Sequence, residues 1–214
     1  MEKDNKINAV EQLIDNSKKI AVIPSPASGA DALCAALGFY KIAKEKNKTV
    51  NIIYSGDIDQ ELRQAIDEKD VVKDSSQMNL SVSIDYSQTS AEKVAYSTLN
   101  NVLTVKIGPV KKDYDLNKVV PVLEGFDFDL IFIFGAKNKE SLGDIYLNLG
   151  DDFRKASIVN FDTSGENIKY GDFNIVDTET ESLSLLVLNF LAKGGFKIDQ
   201  KTARVLLRGM TSKN

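Results

Sequence analysis

The chain has 214 residues, 43% of them hydrophobic and 27% charged, with a formal net charge of −4. That length can bury a full core in one large domain, and the acidic balance argues against nucleic acid as a partner. There is no histidine, which excludes Ser-His-Asp and Cys-His catalysis, His-ligated zinc and any imidazole general base. The one cysteine, Cys34, cannot form a disulfide within the chain and reads as a small buried hydrophobe. Met1 to Ile7 is polar and charged, and no apolar run approaches the ~20 residues of a membrane span. The expected setting is the cytoplasm, with no membrane partner.

The spacing Ile7, Val10, Leu13, Ile14 predicts a first helix lying across a sheet. Ile20 to Ile23 is a short apolar run stopped by Pro24, hence a strand. A loop of small residues, Pro24 to Ala30, leads into a helix starting near Asp31, with Leu33, Ala36, Leu37, Tyr40 and Ala43 at helical spacing. Thr49 to Tyr54 reads as a second strand, and Asp57 to Ala65 as a short helix capped by Asp57 or Asp59. Between Met78 and Pro109 the rhythm changes to period two: Leu80, Val82 and Ile84 alternate with polar residues. Asn100 and Asn101, between the apolar runs around Val94 to Tyr96 and Val102 to Ile107, predict a tight hairpin turn with positive φ.

From Asp127 the α/β rhythm returns. Leu130 to Phe134 is a central strand, followed by the loop Gly135 to Asn138 and a helix through about Leu149. Ala156 to Phe161 is the next strand, followed by the loop Asp162 to Gly165, and Asn174 to Val176 is a short strand. Glu179 to Ala192 is a helix apolar nearly all round, which must be covered on more than one side. A last helix runs from Asp199 towards Met210. The fold class is therefore α/β, a mostly parallel sheet flanked by helices, with an antiparallel hairpin insertion around 79–108 in a single domain over 1–214.

The three loops Pro24–Ala30, Gly135–Asn138 and Asp162–Gly165 all leave strands at their C-terminal ends, so a parallel sheet gathers them at one mouth. That mouth holds two acids, Asp31 and Asp162, with the hydroxyls of Ser25, Ser28, Thr163 and Ser164. Nucleotide-binding glycine fingerprints and the G-x-S-x-G elbow are absent. Two acids without imidazole suit at most one weakly held Mg²⁺ or similar hard cation. Capping explains Asp31, and turn formation explains Asp162.

The residues around the mouth resemble the DHH phosphoesterases, the group that includes RecJ-type exonucleases and oligoribonuclease/PAP phosphatases. The opening strand and loop look like that family's first motif, an apolar strand followed by H-x-N-P-D-G-D-A-x-G-S-A-L. The runs Asn160 to Asn167 (NFDTSGEN) and Tyr170 to Asp177 (YGDFNIVD) look like its N-I-D-H-H-x-x-N and F-G-D-x-N-x-V-D. Phe128 to Phe134 and Ala203 to Met210 fit further family elements, so the likeness covers nearly the whole chain as the catalytic DHH domain, without the C-terminal substrate domain. The resemblance implies a dinuclear Mn²⁺ site activating water for attack on phosphorus. The motif positions depart from it: the first-motif histidine falls on Ser25, its first aspartate on Gly29, the second-motif aspartate on Gly135. The D-H-H triplet reads Asp162, Thr163, Ser164, and the fourth-motif acid falls near Lys213.

With only Asp31 and Asp162 left, the expectation is a pseudo-phosphoesterase with no catalytic residue and no required cofactor, at most Mg²⁺ or Mn²⁺ held weakly. Its work would be ligand or protein interaction, the ligand being a nucleotide or another phosphate-bearing small molecule. A weak Mg²⁺/Mn²⁺-dependent phosphoesterase or nucleotide binder is one rival. A structural subunit of a homodimer or larger homo-oligomer is the other, suggested by the all-round apolar helix and the missing second domain, with the insertion as an equal source of an edge strand for pairing.

Overall fold

The computed structural model describes residues 2–87 and 92–212. The chain runs α1 (Glu2–Asn16), β1 (Lys19–Pro24), α2 (Gly29–Glu45), β2 (Thr49–Ile53), α3 (Gln60–Arg63) and β3 (Val71–Val72). Four strands follow, β4 (Asn79–Ile84), β5 (Lys93–Leu99), β6 (Val102–Gly108) and β7 (Val119–Glu124). It returns through β8 (Leu130–Phe134), α4 (Asp144–Asn148), α5 (Gly150–Lys155), β9 (Ser157–Asp162), β10 (Phe173–Val176), α6 (Leu183–Lys193) and α7 (Gln200–Thr211). These elements form two compact units, residues 1–77 with 126–214, and residues 78–125.

The larger unit is built on a six-stranded sheet ordered β10-β9-β8-β1-β2-β3, every adjacent pair parallel. Successive side chains of a strand point to opposite faces, and the two faces have separate cores. Ile20 and Val22 face a core with α1, α2, α6 and α7, whereas Ala21 and Ile23 face one with Leu142, Ile145, Leu149 and Phe153. Both faces are covered, which is why β1 and β8 are apolar without alternation. Phe39 of α2 is the centre of the first core, with its ring 4.2 Å from Phe132 and within about 6 Å of Phe134, Phe161 and Phe190.

Three expectations need adjusting. The helix expected through Leu149 is a short 3₁₀ turn at Glu140–Leu142 followed by two short helices, α4 and α5. The helix expected from Glu179 begins at Leu183, because the hydroxyl of Ser182 accepts the Leu185 N–H and fixes the start there. It packs on α1, α2, α7 and β9, which bury Leu183, Leu186, Val187, Phe190 and Leu191 and leave Leu185 and Leu188 half-buried. The strands β3 and β7 were not anticipated. The first is two residues long, and the second carries Pro121, which marks it as the edge strand it is.

The smaller unit consists of two separate antiparallel ladders, β4 with β7 and β5 with β6. The hairpin expected at Asn100 and Asn101 is present, and both residues have positive φ, 50° and 62°.

Candidate functional site

The parallel order places the C-terminal ends of β1, β8 and β9 side by side, and the loops that leave them are tied to one another. Ser25 N–H donates to the Phe134 carbonyl (2.8 Å), and Gly135 N–H donates to the Phe161 carbonyl (2.8 Å). The Ser28 hydroxyl donates to the Gly135 carbonyl at 2.6 Å. From the third loop, the Asn167 side-chain amide donates to the Ala136 carbonyl at 3.0 Å. The expected mouth is therefore formed, and Ser25, Gly29, Asp31, Gly135, Asp162, Thr163 and Ser164 all lie on the three loops or the first turn of α2.

Asp31 does something that local sequence does not announce. It sits in the first turn of α2, but its carboxylate caps another helix: Oδ2 accepts the Leu183 N–H (2.6 Å) and Oδ1 the Ser184 N–H (2.9 Å) at the start of α6. The Ser184 hydroxyl returns a 3.3 Å bond to the Asp31 carbonyl. The side chain is buried, 4% exposed, so it neutralises donors that water could not reach.

Asp162, 3% exposed, ends β9. Its Oδ1 accepts the N–H groups of Thr163 (2.8 Å) and Ser164 (3.1 Å), and its Oδ2 accepts the Asn167 amide at 2.6 Å. The turn this makes is continued by side-chain amides. Asn160 donates to Asn167 (3.0 Å) and to Asn174 (3.2 Å), and accepts from the Tyr170 hydroxyl (3.2 Å). Asn174 in turn bonds the backbone of Gly171, and Asp172 accepts the Ile158 N–H. The two stretches NFDTSGEN and YGDFNIVD thus hold β9, β10 and their connection together. Burial, reinforced by the Asp162 charge, drives the Tyr170 phenol well above its ordinary pKa.

Two positions where the family resemblance would place acids are glycines whose backbone resists a side chain. Gly29 opens α2 with φ 59°, ψ −147°, a backbone region that only glycine occupies without strain. Gly135 has φ 74°, and a β-carbon there would lie 2.7 Å from the side chains of both Ser28 and Leu183. Ser25 is buried, and its hydroxyl has no hydrogen-bond partner among the described residues. Lys213 lies outside the described residues. Among the described residues no group of three or more Cys, Asp or Glu side chains converges as a metal site. The donor set therefore does not fit a dinuclear metal centre: the two acids already accept from protein N–H groups, and the other positions offer a hydroxyl or nothing.

Elsewhere, of the two candidate caps for α3, Asp57 and Asp59, it is Asp59 that accepts from Glu61 and Leu62 N–H. It is also gripped by both guanidinium nitrogens of Arg208 from α7. What sequence reading missed at the mouth is Asn167 as the bridge between loops, and Leu183 and Ser184 as the partners of Asp31. For the first the family-like spacing was a signal; for the second none existed.

No family profile matches the chain, and no curated protein matches it. Among solved structures the chain is similar to an exopolyphosphatase-related protein from Bacteroides fragilis, with a TM-score of 0.62 and 15% identity. The alignment takes in 96% of this chain and 49% of the neighbour, so the chain spans about half its length. The likeness is one of fold: an α/β unit with a parallel sheet flanked by helices. Among the described residues no helix is long and apolar enough to cross a membrane.

Proposed function

We propose that this chain is a DHH-like phosphoesterase domain in which structural hydrogen bonds have taken the place of metal coordination, so that it acts as a non-catalytic module for ligand or protein interaction. The observation that carries this reading is the double engagement of Asp31 by the first turn of α6. A carboxylate that bound a metal there would have to release two buried N–H groups, each worth about 1.5–3 kcal/mol when bonded to a charge. The closed backbone at Gly29 and Gly135 supports the same reading, since the acids that would complete a two-metal site cannot be restored by simple substitution. The fold likeness to an exopolyphosphatase-related protein supports a phosphate-bearing small molecule as the ligand class for the mouth.

The test is hydrolysis of short oligonucleotides, pAp, cyclic dinucleotides and inorganic polyphosphate with Mn²⁺ or Mg²⁺. The expected result is no turnover above metal alone. Metal-dependent turnover abolished by Asp162→Ala, with the far-ultraviolet circular dichroism unchanged, would overturn the proposal. Calorimetric titration with Mg²⁺ and AMP is expected to be flat for the metal. A saturable Mg²⁺ isotherm lost in the same variant would favour the weak single-metal enzyme instead.

A further inference from the structure

The six-stranded sheet ends at β10, whose far edge is unpaired among the described residues. The Asp177 N–H reaches the Asp162 carbonyl at 3.1 Å, which fixes the direction of every backbone group in the strand. Phe173 and Ile175 turn theirs to β9. Asn174 and Val176 turn theirs outward, where no strand receives them. Side chains alternate as well, and those of Phe173 and Ile175 pack on the core shared with α1 and α6.

Beside this edge runs a cavity of about 110 Å³, lined by Asn174, Ile175 and Val176 on one side and by α1 and α6 on the other. Lys6 and Lys193 also line it. Both are exposed, and neither is in an ion pair with a described residue. Charge is divided along the length of this groove. The helix α6 starts at the sheet mouth, where Asp31 holds its first turn, and ends at Lys193. A β-carbon on Gly194 would lie 3.0 Å from the Ile7 side chain, so Lys6 belongs to the same end, remote from the mouth. The acid of the groove, Asp177, follows β10 at the mouth end.

We propose that two copies of this chain pair β10 with β10, antiparallel about a two-fold axis at Ile175, and so join their sheets into one. A row of unpaired strand groups is a template for another strand, and here the register and the charges name that strand. With Ile175 opposite its own copy, Asn174 faces Val176 of the second copy, and every outward N–H meets an outward C=O. The same register sets Asp177 of the second copy beside Phe173, at the end where Lys6 and Lys193 stand without an acid. Only reversal does this, since a parallel pairing would set lysines by lysines and acid by acid. None of the residues used belongs to the metal-motif positions of the mouth, so this proposal and the one above can fail separately.

The full chain is expected to sediment as a dimer that dissociates on dilution. Val176→Pro removes an outward N–H and spares the ladder to β9. It should weaken the dimer about tenfold or more, because the two-fold axis loses that bond twice. Lys6→Glu together with Lys193→Glu should weaken it about tenfold as well. Adding Asp177→Lys to that pair should restore the dimer, which a merely damaged fold would not allow. Ile175→Cys should form an intermolecular disulfide under mild oxidation, and Leu207→Cys, exposed on α7, should not; Cys34 is silent because it is buried. A protein monomeric at all concentrations overturns the proposal. So does a dimer indifferent to Val176→Pro, one that Asp177→Lys fails to restore, or cross-linking as efficient from Leu207 as from Ile175.

Discussion

The two units of this chain obey the same local rules and end in opposite states. In the sheet unit, apolar residues at periods of two and 3.6 find a second layer, and Phe39, Phe132 and Phe134 are completely buried. In the unit over 78–125 the period-two pattern is as regular and the hairpin turn as well formed, yet Val94, Tyr96 and Leu103 remain exposed. Patterning therefore suffices to make a strand and a turn. It makes a core only where another element is there to receive the face.

The largest expected effect tests that contrast directly. Phe132→Ala removes a ring packed 4.2 Å from Phe39 and should cost about 4 kcal/mol by denaturant unfolding. Tyr96→Ala in the hairpin should change the stability of the sheet unit by less than about 0.5 kcal/mol. Comparable losses from the two substitutions would mean that the smaller unit has a core after all.

The next contrast is within the mouth. Asp31→Ala leaves the Leu183 and Ser184 N–H groups without an acceptor in a buried place and should cost about 3 kcal/mol. Asp162→Ala removes an acceptor from a turn whose neighbours Thr163 and Ser164 are half-buried, where water can substitute, and should cost about half as much. Melting curves of the two variants decide it: an Asp31 variant as stable as the parent would show that the cap is dispensable and the carboxylate free for other work.

Gly135→Asp restores in name the acid of the resembling family. With positive φ and two side chains 2.7 Å from the new β-carbon, it should destabilise by about 2 kcal/mol. It should add no Mn²⁺ affinity in calorimetry. A variant that gained tight metal binding would show that the mouth needs one acid rather than a different backbone.

How much of this could be read from the residues follows the distance over which each feature is decided. The strand–loop–helix from Ile20 to Ala43, the turn at Asn100 and Asn101, an aspartate cap on α3 (though not which of Asp57 and Asp59) and the convergence of three loops are set by neighbours within a few positions, and were legible. The role of Asp31 was not, because its partners lie more than 150 positions away and are backbone groups. Nothing about Leu183 or Ser184 as residue types marks them as donors to a carboxylate. The break between α4 and α5 was hidden for another reason: Leu142, Ile145, Leu149 and Phe153 keep helical spacing across it, so the pattern reads through while the backbone does not. The strand β7 was hidden by its own proline, which argues against a central strand and is silent about an edge.

The smallest expected effect concerns pH, and it comes from the same burial that separates the two units. With no histidine in the chain, no side chain of ordinary pKa titrates between about pH 5.5 and 8, and the unfolding free energy should be nearly level there. On the acid side, the backbone N–H groups of Lys19 and Lys18 hold the Asp129 carboxyl below its usual range. A lowered folded pKa gives stability present above about pH 4 and lost as the pH falls through the folded value, and Asp129→Asn should flatten that limb. On the alkaline side, burial pushes the Cys34 thiol up to about 11, and burial followed by the Asp70 hydrogen bond drives the Tyr40 phenol up as well. Raised folded values give stability that is complete below the unfolded pKa, about 8.5 for the thiol, and lost as pH rises through the folded one. Both groups belong to the sheet unit. Denaturant midpoints measured from pH 5 to 11 should therefore hold level, then fall above about pH 9, with the first part of that fall smaller in Cys34→Ala. A slope near neutral pH would require a titrating group that burial in this core does not account for.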